Sequence, residues 1–411
     1  MSRRNLNCRR ELMPYIFMAV FLMLLGICFP IARYGHLFGV TLPTGIFATI
    51  IIWIFSVSLV LTGLWLILFA RSKYLRQRQL ARRRAAVRAA AARSRKLESG
   101  FYITAIGGGT GLSTILKGLK EISSHISAIV TVTDNGGSSG RLLEGNTVVP
   151  PGDIRNCLVA LSPREGILED MFHYRFEQPE ELRGHSLGNL MIAGLADFTG
   201  DMAKAIRDIG RILNIRGNVI PVTLDDVTLG AVMNDGEELL GETTIVKDRR
   251  SIREVFLQPR NAEVNIDAVD AIIAADIILL GPGSLYTSII PNLLVPGILE
   301  ALQQTKAPVW YVANIMTQRG ETEGYDLSDH IEAIVSLSEE PFLTGVVVNT
   351  AKVDDFSVET YRKGGLSQVE NDMKAIRKYD LRVVGLPLAK KDGFIQHDAE
   401  MLAKFVASGK F

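Results

Sequence analysis

Twenty-five consecutive residues, Ile46 to Ala70, carry no formal charge, and Met13 to Ala32 form a second such run of 20. A bilayer core of ~30 Å takes about 20 helical residues, so each run is long enough to cross one. Pro30 lies near the end of the first run and Pro43 just before the second, where a missing N–H costs little. The 13 residues between the runs, Arg33 to Gly45, allow a tight hairpin and no more. Arg3, Arg4, Arg9 and Arg10 precede the first run, and 11 Lys or Arg from Arg71 to Lys96 follow the second. The connection offers only Arg33 and His36. The positive-inside rule then places both termini, and everything after residue 70, in the cytoplasm. The sequence predicts a membrane hairpin over residues 1–70, with two transmembrane helices at about 13–32 and 46–70, in the inner (plasma) membrane. A cleaved signal peptide fits less well, because the apolar core is too long and a second run would still stop transfer.

Residues 71–99, rich in Arg and Ala with no Gly or Pro before Gly100, read as a basic juxtamembrane helix that fixes topology and lies near anionic lipid. Tyr74 is its only aromatic residue and an acidic domain follows, so nucleic acid is not expected as a partner. The net charge of +1 conceals two different objects: residues 1–99 hold 16 Lys or Arg against two acids, and residues 100–411 hold 29 against 42. Three cysteines, Cys8, Cys28 and Cys157, are too few and too scattered for a disulfide framework or a Cys-rich zinc site.

From Phe101 the pattern changes to short apolar runs: Phe101–Ile106, Ala128–Thr133, Val219–Val222, Ile277–Leu280, Val309–Ala313 and Val346–Val348. Apolar residues fill both faces of each, the signature of buried parallel strands, and helix-like segments separate several of them. This predicts a layered α/β body over residues 100–411, with the last sixty residues left open as a separate lobe. Leu229–Met233, Asn234-Asp235-Gly236 and Glu238–Val246 read as a β-hairpin.

Ligands of such sheets bind beyond the carboxyl ends of the strands, where the glycine-rich segments fall. The first, Gly107-Gly108-Gly109-Thr110-Gly111, follows a strand and opens a helix, a place for phosphate or nucleotide. It is neither a Walker loop nor G-x-G-x-x-G, since Leu112 stands where the last glycine belongs. In the second, Asp134-Asn135-Gly136-Gly137, Asp134 lies 23 residues beyond Gly111, a spacing that suits a ribose-binding acid of a dinucleotide fold; a magnesium ligand is equally open. In the third, Pro151-Gly152-Asp153-Ile154-Arg155-Asn156, Arg155 can grip a phosphate, or Asp153 and Arg155 can pair with each other. His185 and Asn189 share one helical face, open to substrate contact or to plain burial. The fifth, Gly281-Pro282-Gly283-Ser284, is a second anion cradle after a strand. Asn314 to Gln318, with Glu321 and His330 nearby, are candidates to complete the wall. The residues show no nucleophile–base pair, no H-E-x-x-H and no Cys/His metal cluster.

The segments Ile106–Leu112, Thr131–Leu142, Pro150–Leu161, Gly184–Leu195, Gly281–Gly297 and Asn314–Tyr325 together resemble the YvcK-type gluconeogenesis factor family, a branch of the CofD-like proteins. The resemblance covers nearly all of residues 102–400. It implies a Rossmann-like parallel sheet with helices on both faces, a UDP-sugar ligand such as UDP-N-acetylglucosamine, and a regulatory role in cell shape and peptidoglycan wall synthesis during gluconeogenic growth. No settled reaction comes with it. The related phospholactate transferases imply the alternative: transfer of a phosphorylated group from a nucleotide-diphosphate donor, with Mg2+ and catalytic acids at positions matching Asp134 and Asp153. The chain departs from the family in its membrane hairpin, in Asn135 where a second Asp is usual, and in Gln396 where an Arg is usual, beside His397. Tyr361 matches a family tyrosine at the sugar end.

The expectation is therefore a membrane-anchored, cytoplasmic UDP-sugar binder, regulatory more than catalytic. Gly107–Gly111 and Gly281–Ser284 would hold phosphates, Asp134 and Asn135 would face ribose or base, and Asp153, Arg155, Asn156, His185, Asn189 and Tyr361 would finish the pocket. The expected partners are the UDP-sugar, the bilayer through residues 13–70 and wall-synthesis proteins, with a homo-oligomer left open.

Overall fold

The computed structural model describes residues 13–28, 46–143, 149–163, 166–353, 355–392 and 394–411. The chain divides into two compact units at Ser94/Arg95.

In the first unit, α1 (Met13–Cys28) runs antiparallel along the first half of α2 (Ile46–Glu98). Glycine permits the close approach: a Cβ on Gly26 would stand 2.8 Å from the Ser56 carbonyl, and one on Gly63 would stand 2.8 Å from that of Ala19. Further along, the Tyr15 and Phe69 rings lie 6.0 Å apart and the Lys73 ammonium sits 5.2 Å above Tyr15. Large apolar side chains, among them Phe17, Ile51, Ile54 and Trp65, remain exposed around this pair. Among the described residues, one helix is long and apolar enough to cross a membrane, the 26 residues Ile50–Leu75 within α2. With 16 residues, α1 falls short of the ~20 that a span takes, and the end of the expected first span, residues 29–32, lies outside the described residues. The basic segment is no separate element. It continues α2 without a break for 53 residues in all, because nothing from Arg71 to Glu98 disfavours helix.

The second unit is built on a seven-stranded parallel sheet. Its strands are β1 (Ile103–Gly107), β2 (Ile126–Val130), β3 (Asn218–Pro221), β7 (Ile277–Leu280), β8 (Val309–Val312), β9 (Gly345–Asn349) and β10 (Arg382–Leu386). Their order is β10-β9-β8-β7-β1-β2-β3. From β1 the chain first builds outward to β3, then returns to lay β7 against β1 and builds the other way, so the order reverses between β1 and β7. Right-handed crossovers running in opposite directions put their helices on opposite faces, which makes the fold Rossmann-like. On the β1–β3 side these helices are α3 (Gly109–Leu119), α4 (Gly137–Leu143), α5 (Pro151–Leu161), α6 (Ile167–His173), α7 (Leu187–Thr199) and α8 (Met202–Leu213). Every residue of β1 and β7 is buried; β7 is apolar throughout, the one hydroxyl of β1, on Thr104, donates to Ala271 O at 2.7 Å, and each enclosed Ile or Leu contributes about 1.5–3 kcal/mol.

Two expectations need correction. The hairpin's second strand is only β5 (Glu238–Leu240), paired antiparallel with β4 (Thr228–Met233); Gly241, at φ +92°, ends it and starts α9 (Glu242–Asp248). The chain then adds β6 (Ile252–Gln258) to the far side of β4. It continues through α10 (Ile266–Ile273), α11 (Ile290–Leu293), α12 (Ile298–Gln304), α13 (Leu327–Val335) and α14 (Asp355–Lys363). Nor do the last sixty residues stand apart. The β10 strand joins the main sheet beside β9, a small β11 (Ala389–Asp392)–β12 (Phe394–His397) ribbon follows, and α15 (Ala399–Ala407) packs on α3.

Candidate functional site

The reversal point brings together the two loops that follow β1 and β7. The strands pair with Ile106 opposite Leu280, and the Gly281 N–H donates to the Ile106 carbonyl at 2.8 Å. Gly109 begins α3 at φ +63°, a backbone geometry that side-chain-bearing residues adopt only under strain. Gly111 faces the second loop so closely that a Cβ would collide with the Pro282 carbonyl. The N-cap of α3 is Gly108, which has no side chain to cap the helix; the Gly109 N–H faces the Asp153 carboxyl, and the start of α3 lines the space between the loops.

Side chains from further along the sheet fix the second loop. The Asn314 amide accepts from Gly283 N at 3.3 Å and donates to Gly283 O at 2.8 Å, and Gln318 Nε2 donates to Ser284 Oγ at 2.8 Å. Buried Asn292 ties the end of β1 to the helical turn after the second loop, its Nδ2 donating to Gly107 O (3.1 Å) and to Ser288 O (2.7 Å). Glu321 accepts from Tyr286 N at 3.1 Å and from Thr287 Oγ1 at 3.0 Å.

Between the loops lies a cavity of about 650 Å³. Its wall contains Gly108, Gly109, Thr110, Gly111, Pro282, Gly283 and Ser284, then Asn314 and Gln318, and Tyr361, Ile395 and His397 at one side. Among the described residues, four carboxyls, Asp134, Asp153, Glu242 and Glu321, also line it, against one exposed cation, Arg319. Crowding and burial show in the acidities of Asp153, Glu242 and Glu321. Burial first, then the Asp134 charge, raises Asp153 to about 6, although the Gly109 N–H pulls the other way. Burial, then Asp134, Asp153 and Glu321, pushes Glu242 up to about 8, and burial raises Glu321 to about 7 against its hydrogen bonds to Thr287 and Tyr286. His397 Nε2 donates to the Ala313 carbonyl at 2.9 Å and burial lowers its pKa to about 4, so the ring is neutral with its Nδ1 lone pair unprotonated. Among the described residues no three His, Cys, Asp or Glu converge as a metal cage.

Most of the expected phosphate loops and Asp134, Asp153 and Tyr361 are thus brought together. Gly107 and Gly281 stand just behind the wall, where their strands touch. Five expected contacts lie elsewhere. Asn135 turns away from the cavity, its Oδ1 accepting from Thr243 N and Thr243 Oγ1, both at 3.1 Å. Arg155, only 6% exposed, points into a polar knot between α5 and α7: its Nη1 donates to Ser186 Oγ (2.6 Å) and Asn189 Oδ1 (2.9 Å), its Nη2 to Asn156 Oδ1 (2.8 Å). Asn189 Nδ2 donates to Ser138 Oγ at 3.1 Å, and that hydroxyl pairs with His185 Nδ1 at 3.2 Å. Arg155, Asn156, His185 and Asn189 therefore bond to one another and to Ser138 and Ser186 and do not line the cavity, although Arg155 Nε finds no partner among the described residues. His330 is likewise fully buried, against the Tyr311 hydroxyl at 2.9 Å. Glu242 was missed, being hidden inside a segment read as strand, and His397 was passed over because its neighbour is Gln396. A second cavity, about 690 Å³, opens at the amino ends of β2 and β3, where open α/β sheets do not hold their ligands.

Comparison with known proteins agrees with this geometry. The family model described as "2-phospho-L-lactate transferase CofD" matches residues 103–389. A putative gluconeogenesis factor of Nostoc sp. is 45% identical over 313 residues, 75% of this chain and 69% of its own. The gluconeogenesis factor of Halalkalibacterium halodurans is 41% identical over 309 residues, 75% of this chain and 96% of its own. A crystal structure of a UPF0052 family member from Bacillus halodurans superposes with a TM-score of 0.73 at 41% identity, covering 75% of this chain and 99% of that one. With a CofD-like domain over most of its length and relatives this similar, the chain belongs to the gluconeogenesis factor family.

Proposed function

We propose that the body binds a nucleotide sugar of the UDP class, UDP-N-acetylglucosamine foremost, and that the N-terminal helices hold it at the inner face of the plasma membrane. There it regulates cell shape and wall synthesis during gluconeogenic growth, with both termini in the cytoplasm. The observation that carries this reading is the pair of glycine loops on adjacent strands, joined where Gly281 N–H donates to Ile106 O and sharing one wall with the start of α3. N–H groups from two directions suit two linked phosphates, and the volume lies within the ~300–1,000 Å³ of small-molecule sites. The exposed apolar surface around Ile50–Leu75 and the Lys/Arg excess on its flanks support the membrane half of the proposal.

Isothermal titration of residues 95–411, a compact unit by itself, tests the ligand. UDP-N-acetylglucosamine is expected to bind, and Gly109→Val to weaken it at least about tenfold, a loss of ~1.4 kcal/mol. Absence of heat with the wild-type protein rejects the proposal.

One observation favours a second reading, phosphoryl-group transfer. Asp134 raises the pKa of Asp153 electrostatically, so the two carboxylates stand near one another in the wall. Magnesium is commonly held by one or two carboxylates together with substrate phosphates, and these two residues fit that use; Asn135, engaged with Thr243, does not. Such an ion would neutralise the donor's diphosphate. Turnover of a nucleotide-diphosphate donor, abolished in Asp153→Asn, would establish this reading over simple binding.

A further inference from the structure

The helix α9 arrives from the three-stranded sheet, yet it is pinned at both ends against loops of the main sheet. Its first turn docks on Asn135, which takes both the N–H and the hydroxyl of Thr243, and its Val246 carbonyl abuts Gly320 so closely that a Cβ there would collide. Glu242 is thereby held in the cavity wall, with Thr287 and Glu321 nearby and Asp134 and Asp153 on neighbouring elements. The carboxyls of the wall repel phosphate, whereas the peptide N–H groups that attract it belong to the glycine loops. Hydroxyl and amide groups, which both donate and accept, suit a surface of carboxyls and a threonine hydroxyl.

We propose that Glu242 is a specificity-determining residue: its carboxyl hydrogen-bonds the sugar moiety of the nucleotide sugar while the glycine loops hold the diphosphate. This rests on the nucleotide-sugar reading above and assigns the two ends of the ligand to different groups of the cavity wall. The groups facing Glu242 are Asp134 and Asp153 toward β2 and α5, Glu321 and exposed Arg319 from the loop after β8, and His397 from β12. Their combined negative charge and the burial keep Glu242 protonated at pH 7, so it offers a donor as well as an acceptor.

The test is titration of the full chain in detergent with UDP and with UDP-N-acetylglucosamine, using wild type, Glu242→Ala and Glu242→Gln. Glu242→Ala is expected to lose about tenfold or more for the nucleotide sugar and less than about twofold for UDP; Glu242→Gln, which keeps both hydrogen-bonding functions, stays within about threefold of wild type for both. In wild type the preference for the sugar-bearing ligand is expected to fall from pH 7 to about 9 as Glu242 ionises, and to stay level in Glu242→Gln, which guards against misfolding of the alanine variant. Equal losses for both ligands, unchanged binding in Glu242→Ala, or a wild type that binds UDP and the nucleotide sugar equally overturns the assignment while leaving the nucleotide reading intact. A wild type that binds neither ligand rejects both.

Discussion

Gly107 and Gly281 terminate adjacent parallel strands back to back: a Cβ on Gly107 would lie 3.7 Å from the Gly281 Cα. At this separation the loops that follow act as one surface, and substitutions in either should disturb both.

Gly111→Ala directs a methyl group at the Pro282 carbonyl. Overpacking of this kind costs about 1–3 kcal/mol. The expected outcome is a Tm lowered by a few degrees together with at least tenfold weaker nucleotide-sugar binding, by calorimetry. Unchanged affinity would mean the loops are not the phosphate seat.

Arg155→Met removes a buried guanidinium and leaves Ser186, Asn156 and Asn189 without their donor. A loss of about 1–3 kcal/mol in urea unfolding of residues 95–411 is expected, with ligand affinity changed far less. A variant of normal stability that no longer binds would show that Arg155 reaches the ligand after all.

Stability should fall as pH rises from about 6.5 to 8.5. Glu321 and Glu242 are raised to about 7 and about 8 in the folded body, well above their ordinary value of 4.5, so the folded state holds protons that the unfolded chain has already released. The buried His330 and His397, lowered to about 4, act oppositely, but only below pH 6.5. Thermal scans of residues 95–411 should therefore show a decline of a few degrees across this window, reduced in Glu242→Gln. A rising Tm there would contradict the buried, crowded acids.

Among the described residues, four carboxyls and a single exposed Arg line the cavity that a diphosphate would enter. Chelation of divalent cations is expected to weaken nucleotide-sugar binding severalfold, and Mg2+ to restore it in wild type but not in a variant carrying both Asp134→Ala and Asp153→Ala. Equal affinity with and without chelator would dispose of any role for the cation.

A reporter active only outside the cytoplasm, fused after Phe38, should score positive in the full chain, and the same reporter fused after Phe411 should score negative. A negative result at Phe38 would reduce the hairpin to a single crossing or none.

The fold was legible where strands are buried on both faces, because Ile277–Leu280 and Val309–Val312 then have no alternation to obscure them. β10 escaped notice: it starts at Arg382 and is only half-buried, so its sequence is mixed. The glycine loops were equally plain, since their chemistry is local. The directions of Arg155 and Asn135 were not, because each is decided by a partner far along the chain, Ser186 and Thr243. Glu242 was invisible for a related reason: nothing near it in sequence says that Asn135 will anchor its helix at the cavity.

One amide nitrogen, Asn292 Nδ2, bonds to the carbonyl of Gly107, where the first loop begins, and to that of Ser288, in the helical turn that follows the second. The halves of the anion seat are riveted together and cannot gape independently, so the seat is set before any guest arrives. Whatever yielding admits the ligand must then fall to the rest of the wall, to the docked α9 or the segment bearing Tyr361, and slow exchange on binding should be sought there.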